Sequence, residues 1–399
     1  MESPEKYQEW KFWPVILLAL LYPINGALIG TAIPLYFFRE GVSLEFIGIL
    51  LAGSAATYSF SPVLFNKLSD RLGRKKSLTI GMGGTLLTQL IFYITLDPVP
   101  FLLSRMAEGL IIGFYWSNLQ SSISDNSLHN HRMMMARYNI SWNAGLLIGL
   151  LLGTIFLFII DDLLIIFYIS PLIIIVNVLT IIFFFQDPEK IDLKKGVSFR
   201  NSNSTETKGD NLKFTEYNIP LLIPILFIFI FSLARASVNL LYPLRSEMLG
   251  FGAYSVYLLI FFCIAFQLIG TSLANYVSFK KMKWVSVLCI GLLILVFIGF
   301  GRVFQFWIFF LLFIMSGLFN GLLYGFGLKL FINLNMQKNT SKYASLCESL
   351  IGTTFFLVPV MCGFIARIDI GLAFNVMSLI IGLFFIVSLV SMKLFNKLD

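Results

Sequence analysis

Long apolar runs alternate with short polar breaks along most of the chain. About twelve runs approach the length of roughly 20 residues that a helix needs to cross a bilayer. They lack the strict apolar–polar alternation of β-barrel strands, so we predict helices. The predicted spans are 12–38, 46–65, 77–96, 101–121, 134–160, 163–185, 219–244, 254–276, 285–300, 306–334, 344–366 and 371–394.

The lysines and arginines are distributed unevenly over the polar breaks. With both termini in the cytoplasm, about 22 of the 29 basic residues lie in cytoplasmic segments and about four on the other side. The opposite orientation would invert this ratio. We therefore expect a multi-pass protein of the cell membrane with both termini cytoplasmic.

One polar break is much longer than the others. Residues 187–213 contain almost no large apolar side chains, a composition that cannot form a packed core. This segment follows the sixth predicted span. We predict an all-α integral membrane protein with an N-terminal six-helix bundle (1–186), a cytoplasmic linker (187–217) and a C-terminal six-helix bundle (218–399).

The two halves share short stretches at a nearly constant separation. "PLYFFREG" from Pro34 corresponds to "PLRSEMLG" from Pro243, and "EGLIIGFYW" from Glu108 corresponds to "SGLFNGLLY" from Ser316. A third pair, "RYNISWN" and "KYASLCE", lies in the fifth and eleventh spans. Both copies run in the same direction, which predicts parallel repeats about an axis along the membrane normal.

Composition agrees with the span pattern and excludes several classes of protein. The chain of 399 residues is 58% hydrophobic and 13% charged, and its mean hydropathy is +0.85. A soluble domain needs more polar residues to cover its surface. The net charge of +8 is spread over the predicted cytoplasmic segments, so it indicates topology and not a nucleic-acid-binding face. The acidic, polar N-terminus is not a cleavable signal peptide.

The cysteines and histidines do not indicate an enzyme. All four cysteines lie in apolar runs without metal-ligand spacing, and we interpret them as packing residues. The two histidines, His129 and His131, lie in a short loop in which Asp125 is the nearest acidic residue. We therefore expect no metal, no cofactor and no enzymatic activity.

The break between the second and third spans, "NKLSDRLGRKK" at 66–76, concentrates charge around a glycine. Gly73 can take the positive φ of a tight turn without a steric penalty. Asp70 can pair with arginines or with the N-terminal dipole of a neighbouring helix. The stretch resembles the signature loop of the major facilitator superfamily, with Asn66 where the family usually has glycine. The matching residues are Asp70, Arg71, Gly73, Arg74, Lys75 and Lys76.

Together with the twelve spans, the linker and the repeat, the resemblance covers essentially the whole chain. It implies a secondary transporter similar to the drug and metabolite exporters of the family, in which two bundles rock around one site. It also implies that the 66–76 loop latches the bundles in the outward-open state. The alternative is that its cations only set topology. The second-half loop, 275–284, keeps cations but lacks the Asp and Gly, so we interpret it as a topology anchor.

Few ionisable residues lie inside the predicted spans, where each costs roughly 2.5–3.5 kcal/mol at the bilayer centre. Arg105 and Glu108 are three residues apart and so share a helix face, where they can pair. "RMAEG" resembles a fourth-span motif of the family's proton-driven exporters, with Glu108 in place of the usual glutamine. The resemblance implies that Glu108 carries protons. The alternative is a silent pair that cancels its own charge.

Arg235 and Glu348 carry charge in the seventh and eleventh spans. The repeat aligns Glu348 with Asn143, so we expect both positions to face the central cavity. Glu348 would bind a proton or a cationic substrate there, unless it is only one turn deep and hydrated. Arg235 would pair with Glu348 across the cavity or bind an anionic substrate.

Polar residues also occur in the first, fourth, seventh and tenth spans, which line the path in the family that the chain resembles. We expect about half of these residues to contact substrate and the others to form interhelical hydrogen bonds. The candidates for substrate binding are Asn25, Trp116, Asn118, Asn143, Arg235, Asn239, Gln267, Asn320 and Tyr324.

Gly145, Gly149 and Gly153 recur every four residues in the fifth span. They form one small helix face that permits close packing. The spacing is similar to a fifth-span motif of the family's exporters, but the proline of that motif is absent. We interpret the glycines as packing residues.

These observations predict a monomeric secondary active transporter in the lipid bilayer. It would move a small, amphipathic organic solute by alternating access and draw energy from protons through Glu108 or Glu348. The apolar, aromatic path favours such a solute over sugars. A passive facilitator of the same fold is the main alternative. A transporter-derived receptor or a membrane enzyme is less favoured, because we find neither an added soluble domain nor a cluster of catalytic side chains in the sequence.

Overall fold

A computed structural model of the chain describes residues 11–125, 131–187, 222–335 and 340–395. These ranges consist of helices joined by short turns. A 3₁₀ turn, Leu90–Tyr93, follows the fourth helix. The helices are α1 (Trp13–Arg39), α2 (Leu44–Tyr58), α3 (Ser61–Leu72), α4 (Arg74–Gln89), α5 (Pro98–Ile111), α6 (Gly113–Asp125), α7 (His131–Ile160), α8 (Leu164–Phe184), α9 (Leu222–Met248), α10 (Ala253–Ala274), α11 (Phe279–Arg302), α12 (Phe306–Asn335), α13 (Thr340–Ala366) and α14 (Ile370–Phe395).

Nine helices in the described ranges are long and apolar enough to cross a bilayer alone, namely α1 and α7 to α14. The second, third and fourth spans are each built from two shorter pieces. These are α2 with α3, α4 with the 3₁₀ turn, and α5 with α6. The chain is therefore an all-α membrane protein of twelve spans, which confirms the prediction from hydropathy.

The two halves pack their six spans in the same way. The first span packs against the fifth and sixth, and the seventh packs correspondingly against the eleventh and twelfth. The second span lies along the fourth, as the eighth lies along the tenth. Between the halves, the second span contacts the eleventh and the fifth contacts the eighth, two interfaces that a twofold axis would exchange. The packing confirms two parallel repeats.

The glycine row of the fifth span lies where helices approach most closely. A Cβ atom at Gly145 would lie 2.2 Å from the carbonyl oxygen of Leu20 on α1, and Gly149 is similarly close to α1. Gly153 faces the ring of Tyr257 on α10, in the other half. The structure confirms that these glycines serve close packing, both within the N-terminal half and across to the C-terminal half.

Two ion pairs join the halves at the end of the bundle opposite the charged loop. Arg39 Nη2 lies 2.8 Å from Glu247 Oε1 and connects α1 to α9. Arg367 Nη1 lies 3.2 Å from Glu45 Oε1 and connects the end of α13 to α2. Near them, α2 and α13 approach within backbone contact. The halves therefore meet at the end that we predict to be extracellular.

The charged loop between the second and third spans is shorter than the predicted segment 66–76. Helix α3 continues to Leu72 and α4 begins at Arg74. Charged side chains at the end of a span can extend into water, so the polar composition does not end the helix. Gly73 joins the two helices with a φ of 86°, which confirms the predicted tight turn.

Candidate functional site

The turn at Gly73 is tied to the fourth span through one arginine. Arg74 Nη1 donates to Asn118 Oδ1 on α6 at 2.9 Å and lies 3.2 Å from Asp70 Oδ1. The amide nitrogen of Asn118 donates to the Phe114 carbonyl at 2.8 Å. Asn118, a candidate for substrate binding, therefore lies beneath the turn and has both amide atoms occupied.

The same turn is tied to the end of the sixth span. The Lys75 backbone N–H donates to Asp187 Oδ1 at 2.6 Å, and Lys75 Nζ donates to the Ile182 carbonyl at 2.8 Å. Arg71 and Lys76 are exposed. Four of the six motif residues thus fix the turn to its own half, while two cations face outward.

Arg105 and Glu108 form the predicted ion pair inside the N-terminal half. Arg105 Nη1 contacts Glu108 Oε2, and Arg105 Nη2 donates to Ser54 Oγ on α2 at 3.0 Å. Gln89 Nε2 on α4 donates to Glu108 Oε1 at 3.2 Å. The side chain of Glu108 is only 4% exposed. The pair therefore connects three spans away from bulk water.

A cavity of about 220 Å³ lies beside this pair, between the first, second and fourth spans. The aromatic side chains of Tyr22, Tyr58 and Trp116 line it together with the pair. The rings of Tyr22 and Trp116 meet edge to face, with their centroids 5.3 Å apart. Such a cavity has room for several water molecules or for part of an organic solute.

This cavity lies where two neighbouring spans are interrupted. Helix α2 ends at Tyr58, and Pro62 is the second residue of α3, so the backbone there lacks one N–H donor. The fourth span is interrupted between α5 and α6, next to Gly113. The Ser61 hydroxyl donates to the Leu110 carbonyl and links the two interruptions.

Asn25 belongs to a hydrogen-bond network behind the ion pair. Its Nδ2 donates to Ser170 Oγ at 2.5 Å and to Gln89 Oε1 at 3.2 Å. Gln89 Nε2 donates back to Asn25 Oδ1 at 3.1 Å and also reaches Glu108. Asn25 thus joins the first, third and sixth spans through its hydrogen bonds with Gln89 and Ser170.

A second cavity lies in the C-terminal half, between the seventh, eighth and tenth spans. Its volume of about 20 Å³ accommodates one water-sized group. Arg235, Asn239, Gln267 and Asn320 line it, so the structure brings four of the candidate residues together. Asn320 Nδ2 donates to the Phe231 carbonyl at 3.1 Å, whereas its Oδ1 has no partner among the described residues.

Arg235 has no carboxylate partner in the part of the chain that the structure describes. The thiol of Cys263 lines the same cavity, together with the Ser316 hydroxyl. The Cys263 thiol in turn contacts the Ser316 hydroxyl. Glu348, the partner that the sequence suggested, lies outside the described side chains. Arg235 is therefore a mostly buried cation at a small polar cavity.

The remaining candidates lie apart from these two cavities. Asn143 donates to the Asn139 carbonyl of its own helix at 2.8 Å. Tyr324 stacks on Phe231 with ring centroids 4.4 Å apart. His129 and the side chain of His131 lie outside the described residues.

Sequence reasoning missed four polar residues that contact the ion pair or line its cavity: Tyr22, Ser54, Tyr58 and Gln89. Each is polar and lies inside a predicted span, which is the signal that could have found them. For Tyr58 the repeat gives a more specific signal, because its spacing aligns Tyr58 with Gln267, one of the candidates for substrate binding.

Comparison with known proteins extends this picture. The family described as Major Facilitator Superfamily matches residues 15–304. No curated protein matches the sequence.

Among solved structures, one similar chain is a bacterial homolog of the human lysosomal transporter Spinster in an inward-facing, unoccupied conformation. Its TM-score is 0.74 at 12% identity, over 99% of this chain and 98% of that one. The nucleoside transporter NupG gives 0.67 at 15% identity, over 96% and 98%. A D-xylose–proton symporter gives 0.67 at 13% identity, over 93% and 96%. These likenesses show the fold, and the family match spans most of the sequence: the chain belongs to the major facilitator superfamily.

Proposed function

We propose that the chain is a secondary transporter that couples proton movement to alternating access of a small, amphipathic organic solute. The buried Arg105–Glu108 pair at the wall of a cavity is the observation that carries this proposal. A carboxylate in this place can exchange its arginine partner for a proton that arrives through the cavity. A pair that only cancelled its own charge would have no need of a cavity beside it.

The contacts of Arg105 suggest how protonation would move the helices. Arg105 joins α5 to α2 through Ser54, and α2 packs against α13 in the other half. Protonation of Glu108 would remove the charge that holds the guanidinium in place, because a neutral carboxyl attracts it less. The bond to Ser54 would then weaken, and α2 would be free to shift at the interface between the halves.

Closure at the predicted extracellular end supports alternation between two open states. The pairs Arg39–Glu247 and Glu45–Arg367 are partly exposed, and such pairs contribute about 0–1 kcal/mol each. Contacts of this strength can break and form again in every cycle. We assign the turn at Gly73 to the opposite end, as the latch of the outward-open state.

The cavity lining favours an amphipathic solute. The similar structures are named as transporters of nucleosides or D-xylose, but their identities are too low to transfer a substrate. In this chain Tyr22, Tyr58 and Trp116 offer aromatic faces beside a single ion pair. Aromatic walls with few polar groups suit a largely apolar molecule better than a sugar. The resemblance to exporters makes efflux the proposed direction.

Purified protein in liposomes with an internal pH-sensitive dye tests the proposal. A panel of aromatic and aliphatic acids, amines and neutral analogues is added with and without an imposed pH gradient. We expect at least one solute to drive proton flux in the wild type and none to do so in Glu108→Gln. Glu40→Gln, at an exposed carboxylate, is the matched control and should behave as the wild type does. Solute flux that is independent of the gradient and equal in Glu108→Gln would identify a passive facilitator and refute proton coupling.

A further inference from the structure

The two cavities occupy corresponding positions in the repeat. Helices α2 and α10 begin at equivalent residues, Leu44 and Ala253, and the same spacing aligns further residues of the second and eighth spans. Residues of the fourth and tenth spans align in the same way. The equivalent pairs that line both cavities include Ser54 with Cys263, Tyr58 with Gln267, and Glu108 with Ser316.

The backbones around the cavities are also equivalent. A Cβ atom at Gly109 would lie 2.1 Å from the carbonyl oxygen of Ser54. A Cβ atom at Gly317, its repeat mate, would lie 2.1 Å from the carbonyl oxygen of Cys263, the mate of Ser54. The same close approach of two spans therefore forms one wall of each cavity, and the side chains around them can be compared position by position.

Charge is where the cavities differ. In the N-terminal cavity the guanidinium of Arg105 is paired with the carboxylate of Glu108. In the C-terminal cavity a guanidinium is also present, supplied by Arg235 of the seventh span, and it lies beside Cys263. The position of the carboxylate is occupied by Ser316, whose hydroxyl contacts that cysteine. The second cavity thus keeps the cation and lacks the anion.

A cation in a transmembrane span is costly unless it has a partner or a function. Among the described residues, Arg235 has neither a salt bridge nor a hydrogen bond that would satisfy it. A carboxylate is the natural partner of a guanidinium, because its two oxygens accept the parallel N–H donors. Ser316 supplies no carboxylate for Arg235. The transported solute can supply one instead.

We propose that the C-terminal cavity binds the carboxylate of the solute beside Arg235, at the position that Glu108 takes in the other half, so that the substrates are organic carboxylates with an apolar body. This inference rests on the proposed transport function. The cavity volume of about 20 Å³ leaves no room for the apolar body of the solute. The body therefore lies outside this cavity, and only the charged group approaches Arg235.

Ligand-dependent stability of the purified protein tests the site without requiring transport. The probe is phenylacetate, and phenylacetamide has nearly the same shape without the charge. A ligand that binds the folded protein raises its Tm in a saturable way. We expect phenylacetate, but not phenylacetamide, to do so in the wild type.

Three variants locate the effect. Arg235→Gln should weaken the phenylacetate response by about tenfold or more in apparent affinity, as expected for loss of a charge-assisted hydrogen bond. Ser316→Glu should abolish the response while keeping the arginine, because it supplies the missing carboxylate from the chain itself. This second variant keeps the test valid if the first fails to fold. Arg302→Gln removes an exposed arginine and should leave the response unchanged.

Several results would overturn the proposal. These are the absence of a response in the wild type, an equal response to the amide, and a full response in Ser316→Glu. Chloride that matches phenylacetate would show a site for inorganic anions only. A response that appears only in Glu348→Gln would show that Glu348 is the partner of Arg235.

Cys263 offers a second measurement because its half-buried thiol lies beside Arg235. Iodoacetate and iodoacetamide both alkylate a thiolate sulfur with loss of iodide, but only iodoacetate carries a carboxylate. The ratio of their rates at Cys263, measured by peptide mass spectrometry, should be higher in the wild type than in Arg235→Gln. An equal ratio would contradict the proposal.

The two proposals fail separately. Carboxylate binding at Arg235 without proton-linked flux would reject proton coupling alone. Proton-linked flux of neutral or cationic solutes only would reject the carboxylate site alone.

Discussion

The N-terminal and C-terminal halves share one packing scheme, yet their interiors differ. In the N-terminal half the second and fourth spans are interrupted beside a cavity of about 220 Å³ that holds a complete ion pair. In the C-terminal half α10 and α12 are continuous, and the cavity between them and α9 measures about 20 Å³. The comparison shows that a repeated backbone can support two kinds of polar site through a few substitutions.

One position accounts for much of the difference in the helices. The repeat aligns Pro62 with Thr271. Thr271 Oγ1 lies 2.9 Å from the Gln267 carbonyl and 3.2 Å from the Gly321 carbonyl, so it fits a continuous helix. Proline at the equivalent position lacks the N–H donor that a continuous helix would use. The interruption separates α2 from α3 and leaves room beside Arg105.

The largest effect on stability is expected from removing the carboxylate that the N-terminal cavity has and the C-terminal cavity lacks. Glu108→Ser gives the N-terminal cavity the residue that the C-terminal cavity has at Ser316. It leaves Arg105 in the interior without its carboxylate, which should lower the free energy of unfolding by about 4 kcal/mol. Unfolding in detergent micelles measures the change.

Glu40→Ser is the control for this substitution, because it removes an exposed carboxylate and should change stability by about 0.5 kcal/mol or less. If Glu108→Ser is as stable as this control, the Arg105–Glu108 pair does not distinguish the halves energetically.

An intermediate effect on stability is expected from placing in the eighth span the proline that interrupts the second span. Thr271→Pro should lower the free energy of unfolding by about 3 kcal/mol, because it removes a backbone donor from the interior of α10. Limited proteolysis and unfolding in detergent both report it. Thr271→Val, which removes only the hydroxyl, should cost about 1 kcal/mol. If Thr271→Pro and Thr271→Val lower stability equally, proline does not explain the interruption of the second span.

The smallest effect on stability is expected at the close approach of two helices that both halves share. Gly109→Ala and Gly317→Ala each place a Cβ atom 2.1 Å from a carbonyl oxygen. Both should lower the free energy of unfolding by about 2 kcal/mol, since the helices must separate to make room. Gly291→Ala, which has open space around it, should not destabilise the protein. A large inequality between the first two variants would show that the walls of the cavities are not equivalent.

The sequence predicts the overall plan because hydropathy and lysine distribution are properties of whole segments. It also predicts the Arg105–Glu108 pair, since a separation of three residues on a helix fixes their relative direction. It did not predict that α3 runs to Leu72, because a charged helix end and a charged loop have the same composition. Nor did it predict the partners of Asn118, which come from a turn on another span.

The repeat contains further information about the site beyond the Arg105–Glu108 pair. Pro62 was a visible signal of an interrupted helix, and the alignment of Glu108 with Ser316 was already available. The position of Arg235 beside Cys263 was not, because the guanidinium comes from a different span than in the other half. Contacts between spans depend on helix rotation, which hydropathy does not determine.

The bond between Lys75 and Asp187 has a mechanical consequence. Asp187 is the last described residue before the segment that connects the halves, and it is held at the turn beside Gly73. A pull on Asp187 would therefore act on the corner between the second and third spans as well as on the end of the sixth. A change in the length of the segment that connects the halves would therefore be felt at the turn beside Gly73.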